Sequence, residues 1–179
     1  DVVEGGGKAD KIATKGGNDL VIATAGKDTI DGGAGRDTLT YEDISLPNGI
    51  SVDLKAGTVK VGSKTQTIVG FEVLAATNQD DDLYGSSGAD TIFGLDGEDI
   101  IEGRGGGDFL YGEDGDDFIH GNGGNDMLFG GKGADIIYGE NGRDVLKGQA
   151  GKDVMFGNQG HDQLFGGSGH DRMYGQTGN

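Results

Sequence analysis

Along the second half of the chain one apolar residue recurs every nine positions, at Leu83, Ile92, Ile101, Leu110, Ile119, Leu128, Ile137, Leu146, Met155, Leu164 and Met173. Near the start Ile12, Val21, Ile30 and Leu39 keep the same spacing. An aspartate stands two places before each, and a glycine-rich stretch stands before that. A unit such as Gly94-Leu95-Asp96-Gly97-Glu98-Asp99-Ile100-Ile101-Glu102 therefore reads Gly-x-x-Gly-x-Asp followed by a short apolar step. The first six residues are turn chemistry, because glycine at the first and fourth places allows positive φ and close approach of backbones. The last three predict a strand whose middle residue points inward. One unit cannot bury its own apolar residue, so a period this regular predicts a solenoid in which each unit stacks on its neighbours.

Two units close one coil of eighteen residues, with consecutive strands on opposite faces, so residues i and i+18 stack at about the 4.8 Å spacing of neighbouring strands. The aspartates then form two columns, one of Asp10, Asp28, Asp81, Asp99, Asp117, Asp135, Asp153 and Asp171, the other of Asp19, Asp37, Asp90, Asp108, Asp126, Asp144 and Asp162. Carboxylates so close repel one another unless a cation lies between them.

Composition sharpens this picture. A content of 40 glycines and 33% hydrophobic residues in 179 is poor material for an ordinary globular core, though the length suits one domain. With 31 acidic against 14 basic residues the net charge is −17, which argues against nucleic acid and anionic membrane surfaces and for cations as partners. The acid is periodic, as a set of sites would be. There is no cysteine to staple a thin core, Pro47 is the only proline, and no stretch reaches the apolar length of a membrane span. No signal peptide opens the chain, which starts without Met and stops in mid-repeat, the pattern expected of a piece of something longer.

The ligands on offer are carboxylate oxygens and the carbonyls exposed by turns at Gly94, Gly97, Gly103, Gly106, Gly112, Gly115, Gly121, Gly124, Gly130, Gly133, Gly139, Gly142, Gly148, Gly151, Gly157 and Gly160. A flexible, anionic, all-oxygen cage suits several Ca²⁺ ions better than Mg²⁺, which demands tighter octahedral geometry. Zinc would want cysteine or clustered histidine.

The units resemble the RTX, or hemolysin-type, calcium-binding nonapeptide Gly-Gly-x-Gly-x-Asp-x-(Leu/Ile)-x over most of the chain. The resemblance implies a right-handed parallel β-roll, two repeats per coil, with each calcium held by the sixth-place Asp of two stacked turns and by backbone carbonyls of the same turns. It also implies export from a Gram-negative bacterium by type I secretion. The sequence departs from the pattern where Leu95, Glu113, Asn122 and Glu140 replace the second glycine, and where Thr14-Lys15-Gly16-Gly17 and Ala23-Thr24-Ala25-Gly26 lack the leading one.

Three segments follow as parts of one structural domain: residues 1–40 as a degenerate calcium block, 41–75 as a non-repeat insert, and 76–179 as the main roll. Within the insert Ile50-Ser51-Val52-Asp53-Leu54, Thr58-Val59-Lys60-Val61 and Ile68-Val69-Gly70-Phe71-Glu72-Val73-Leu74 read as strands. Its length is close to two coils, predicting a continuation of the roll without calcium; the rival is a small hairpin packed on the side.

Apolar stripes (Ile100, Phe118, Ile136, Val154; Phe109, Met127, Val145) and aromatics at the ninth place, from Tyr84 and Phe93 to Phe165 and Tyr174, flank the inward positions. They read as ladder stacking, or as a docking surface for further domains or another copy. No enzyme is expected. His120, His161 and His170 fall on variable places, no His-Glu-x-x-His or Gly-x-Ser-x-Gly occurs, and in acid pairs such as Glu98/Asp99 one member is already a repeat position. The functional expectation is a secreted, extracellular module that folds on binding calcium and scaffolds a larger toxin or enzyme. The alternative is a calcium-rigidified module of an adhesin or surface-layer protein.

Overall fold

The computed structural model describes residues 1–42 and 46–176. Among these residues every regular element is a strand, and the eighteen-residue spacing appears directly as register. Ile92 pairs with Leu110, Leu110 with Leu128, Leu128 with Leu146 and Leu146 with Leu164 in one sheet. Leu83, Ile101, Ile119, Ile137, Met155 and Met173 pair in the same way in the other. These pairings are parallel, giving a nine-stranded and a twelve-stranded sheet whose inward residues meet between them. The architecture is the all-β, parallel β-roll that the period predicts.

The core is thin but dry. Leu83, Ile92, Ile101, Leu110, Ile119, Leu128, Ile137, Leu146 and Met155 are each 0% exposed, and each contributes about 1.5–3 kcal/mol by leaving water. Two of the eleven predicted core positions in the main block depart from this. Leu164 is half-buried and Met173 is 50% exposed, because among the described residues Gln163–Gly169 and Arg172–Tyr174 are edge strands of their sheets.

Strands in the main roll are longer than the predicted three residues. Phe118–Gly124, Met127–Gly133, Ile136–Gly142, Val145–Gly151 and Val154–Gly160 run through the glycine turn, because turn residues also pair with the coil above, as Asn122 does with Glu140.

The region between the repeat blocks treats the two sheets differently. In the nine-stranded sheet Val73–Ala75 alone separates Thr38–Thr40 from Thr91–Asp96. In the other sheet an antiparallel meander of Ile50–Asp53, Thr58–Val61 and Lys64–Val69 is spliced between Thr29–Asp31 and Asp82–Tyr84, joining each through a parallel pairing. Three strands thus face one, rather than two eighteen-residue coils being added. Tyr41 and Phe71 belong to the buried core, and the Tyr41 hydroxyl donates to Gln66 of the meander.

The flanking aromatics stack along the roll. Phe93, Tyr111 and Phe129 lie at centroid separations of 4.8 and 4.6 Å with planes 11° and 6° apart. Tyr138, Phe156 and Tyr174 repeat this at 4.8 and 4.9 Å. That spacing is the strand repeat itself, so the rings form a ladder on in-register strands.

Candidate metal centres

A backbone ladder links the aspartates of stacked turns. The backbone N–H of one aspartate donates to Oδ1 of the aspartate eighteen residues on, from Asp81 to Asp99 at 2.8 Å, Asp99 to Asp117 at 2.9 Å and Asp117 to Asp135 at 3.0 Å. In the other column Asp90 donates to Asp108 at 2.9 Å, Asp108 to Asp126 at 2.8 Å and Asp126 to Asp144 at 2.9 Å. The early block follows suit, Asp10 to Asp28 and Asp19 to Asp37, both at 2.9 Å. Peptide N–H groups therefore stand between successive carboxylates, and charge repulsion is not the main obstacle to packing them. Burial is the main cause that raises their pKa values, to about 8 at Asp99, about 7 at Asp108 and Asp135, and about 6 at Asp117 and Asp144, with neighbouring carboxylates adding less.

The second carboxylate oxygen is the informative one. Oδ2 of Asp19, Asp37, Asp99, Asp108, Asp117, Asp126, Asp135, Asp144, Asp153 and Asp162 is buried with no hydrogen-bond partner. A native fold rarely leaves so many buried acceptors orphaned. In all of these turns but that of Asp19, where Thr14 stands instead, a glycine at the first place makes the room. A methyl group on Gly94 would lie 2.2 Å from Asp99 Oδ2 and 2.9 Å from the carbonyl oxygen of Gly112 in the next coil, and one on Gly112 would lie 2.1 Å from Asp117 Oδ2 and 2.7 Å from Gly130 O. The fourth glycine permits stacking: Gly115 has φ of 151° and a Cβ there would sit 1.6 Å from Gly97 O. At the second place Leu95, Arg104, Glu113, Asn122, Glu140, Gln149 and Asn158 all adopt φ between 68° and 82°. This left-handed conformation costs a residue with a side chain about 1–2 kcal/mol, so the turn holds it against its intrinsic preference.

Among the described residues no three His, Asp or Glu side chains converge on one point. In the turns from Asp99 to Asp144 each seat sets one orphaned carboxylate oxygen near the carbonyl of a stacked turn, a hard, all-oxygen donor set with one formal charge. A divalent cation of calcium's size and irregular coordination fits it, and nitrogen- or sulfur-seeking metals do not.

Four predicted ligands are placed differently, their carboxylates taken up by protein donors. Asp10 Oδ2 accepts from Gly6 N–H at 2.9 Å, and Asp90 Oδ2 from Ser86 N–H at 2.6 Å. Asp81 accepts from Thr77 N–H at 2.8 Å, Thr77 Oγ1 at 3.0 Å and Ile50 N–H at 2.5 Å. Asp28 Oδ2 accepts from Gln66 Nε2 at 3.0 Å. Asp171 is half-buried in the last coil and takes the Asp153 N–H at 3.2 Å.

Two acids escaped the reading of the period. Glu72 Oε2 accepts the Asp37 N–H at 3.0 Å and the Glu72 carbonyl accepts Thr91 N–H at 2.8 Å, the role of an aspartate one coil on. Its signal was the apolar step Val73-Leu74-Ala75 after it. Asp1, nine residues before Asp10, accepts Leu20 N–H through its carbonyl at 2.9 Å. Of the histidines, His120 is packed in an aromatic cluster, 4.9 Å from Phe118 and 4.5 Å from Tyr138 by ring centroids.

A family model described as "RTX calcium-binding nonapeptide repeat (4 copies)" matches residues 1–39, 75–110, 102–137, 111–146, 129–164 and 147–179. No curated protein matches the chain.

Proposed function

The chain belongs to the RTX calcium-binding nonapeptide-repeat family and is a calcium-binding β-roll, and from that premise we propose that calcium uptake is its folding step, in a module that works outside the cell as the folding and secretion scaffold of a larger protein. The observation that carries this is the series of ten buried, unpartnered Oδ2 atoms among the described residues. A buried carboxylate without a partner opposes folding when ionised. Bound calcium supplies the missing positive charge. The sixth-place Oδ2, from Asp19 and Asp37 and from Asp99 through Asp162, would hold the ion together with turn carbonyls such as those of Gly112 and Gly130. The Oδ1–N–H ladder keeps each carboxylate aimed, and the first glycine, present in all of these turns but that of Asp19, keeps the seat open.

Without the ion, the thin core has to offset both chain entropy and the burial of charged carboxylates, so the extended chain is favoured. Weak extracellular-type sites, filled near 10⁻⁴–10⁻³ M, would stay empty in cytosol and fill outside. That suits a chain exported unfolded. Far-UV circular dichroism titrated with Ca²⁺, with Mg²⁺ and in chelator tests this. A cooperative coil-to-β transition with Ca²⁺ alone is expected, and a full β spectrum in chelator at neutral pH would refute the gating.

A further inference from the structure

The turn that ends at Asp28 carries an occupant of its own. Gln66, 0% exposed, reaches it from the meander strand Lys64–Val69. Its Nε2 donates to Thr24 O at 2.5 Å, Gly26 O at 3.2 Å and Asp28 Oδ2 at 3.0 Å. Its Oε1 accepts from the buried Tyr41 hydroxyl, which fixes the amide's orientation. The second-place carbonyl, the fourth-place carbonyl and the sixth-place carboxylate thus converge on one nitrogen. A carboxamide NH₂ carries two hydrogens and a partial positive charge, and here it stands where three oxygens would otherwise need a cation.

A backbone rule separates this turn from the unpartnered ones. In every turn whose Oδ2 is orphaned, the residue four before the aspartate has positive φ, from Lys15 at 83° and Gly33 at 92° to Asn158 at 68°. In the turns of Asp10, Asp28, Asp81 and Asp90 that residue, Gly6, Thr24, Thr77 or Ser86, is not among those with positive φ, and protein donors satisfy the carboxylate. Positive φ turns the second-place N–H away from the aspartate; ordinary φ brings Gly6, Thr77 and Ser86 onto it. A calcium ion entering a capped turn would have to displace these donors, and at Thr77 and Gln66, whose bonds are buried, leave them unpaired in the interior.

Resting on calcium binding by the open turns, we propose that the four capped turns hold no calcium, and that the Gln66 carboxamide is a built-in replacement for the ion at the Asp28 seat. Calcium per chain, counted by isothermal titration and by elemental analysis after dialysis of the full chain, tests this. Asp28→Asn should leave the count unchanged, whereas Asp117→Asn lowers it by about one ion. Gln66→Glu exchanges the NH₂ for an oxygen while keeping shape, and should raise the count by about one ion. Circular dichroism in saturating calcium establishes that each variant is folded. Loss of an ion in Asp28→Asn, or no gain in a folded Gln66→Glu, would overturn the proposal. An unmodified chain that takes up no calcium would instead overturn the reading beneath it.

Discussion

Replacing Asp117 with asparagine isolates one seat from the scaffold around it. The amide oxygen can still accept the Asp99 N–H that Oδ1 accepts at 2.9 Å, and the Asp117 N–H still reaches Asp135 at 3.0 Å. Only the unpartnered Oδ2 is lost. A site filled at a hundredfold excess of free calcium over its Kd stabilises the fold by about 2.7 kcal/mol. Unfolding entropy of about 2.1 cal/mol/K per residue over 179 residues is about 0.38 kcal/mol/K, so losing one such site lowers Tm by about 7 °C. Were Asp117 a ligand in two seats, as a carboxylate shared by both neighbours would be, the fall would be about 14 °C. The engagement of Oδ1 by a peptide N–H favours the smaller figure. Asp117→Ala also leaves the buried Asp99 N–H without an acceptor and should cost about 1–3 kcal/mol more. Thermal melts at hundredfold calcium, wild type beside both variants, decide the matter. An unchanged Tm in Asp117→Asn, or a fall equal to that of the alanine variant, would refute the division of labour between the two oxygens.

Acid should partly replace calcium. Burial lifts Asp99 to about 8 and Asp108 and Asp135 to about 7 in the folded chain, against about 3.9 unfolded, so between these values the fold binds more protons than the coil and metal-free stability falls as pH rises from about 4 to about 8. Circular dichroism in chelator should show β structure growing on acidification, and growth in the opposite direction would show the sign to be wrong. Ile119→Ala, at a 0% exposed position, should lose about 2–5 kcal/mol in saturating calcium by chemical denaturation, a loss below 1 kcal/mol indicating that the column does not form. Gly115→Ala places a methyl 1.6 Å from Gly97 O at a φ of 151° and should abolish the calcium-induced transition, while the exposed Glu98→Ala changes stability by no more than about 0.5 kcal/mol.

The roll, its parallel register and its column of Leu and Ile were legible because one spacing of nine serves both strand alternation and coil closure. The insert was less so, since Ile50–Asp53 and Thr58–Val61 carry the same alternation whether they pair parallel or antiparallel. The division between open and capped carboxylates was hidden because it depends on φ four residues earlier. There Leu95 and Glu113 take the left-handed conformation while Gly6, the residue freest to do so, is not among those that take it. A usable signal did exist: Thr24, Thr77 and Ser86 stand at that place in three of the capped turns, and Ser and Thr compete for local backbone hydrogen bonds. Gln66 had no local signature, because it reaches Asp28 across 38 positions of chain.

The hydrogen bonds between parallel coils, and the N–H to Oδ1 ladder with them, run along the length of the roll. A pull applied at its two ends would therefore open one rung at a time rather than shear a whole sheet at once. Each coil of eighteen residues released in this way would lengthen the chain by about 60 Å at full extension, at the cost of one set of pairings and the ions held by two turns. Stretched in calcium, the molecule would behave as a ratcheted spring whose teeth are the coils, yielding in repeated even steps and resetting from the coils still intact.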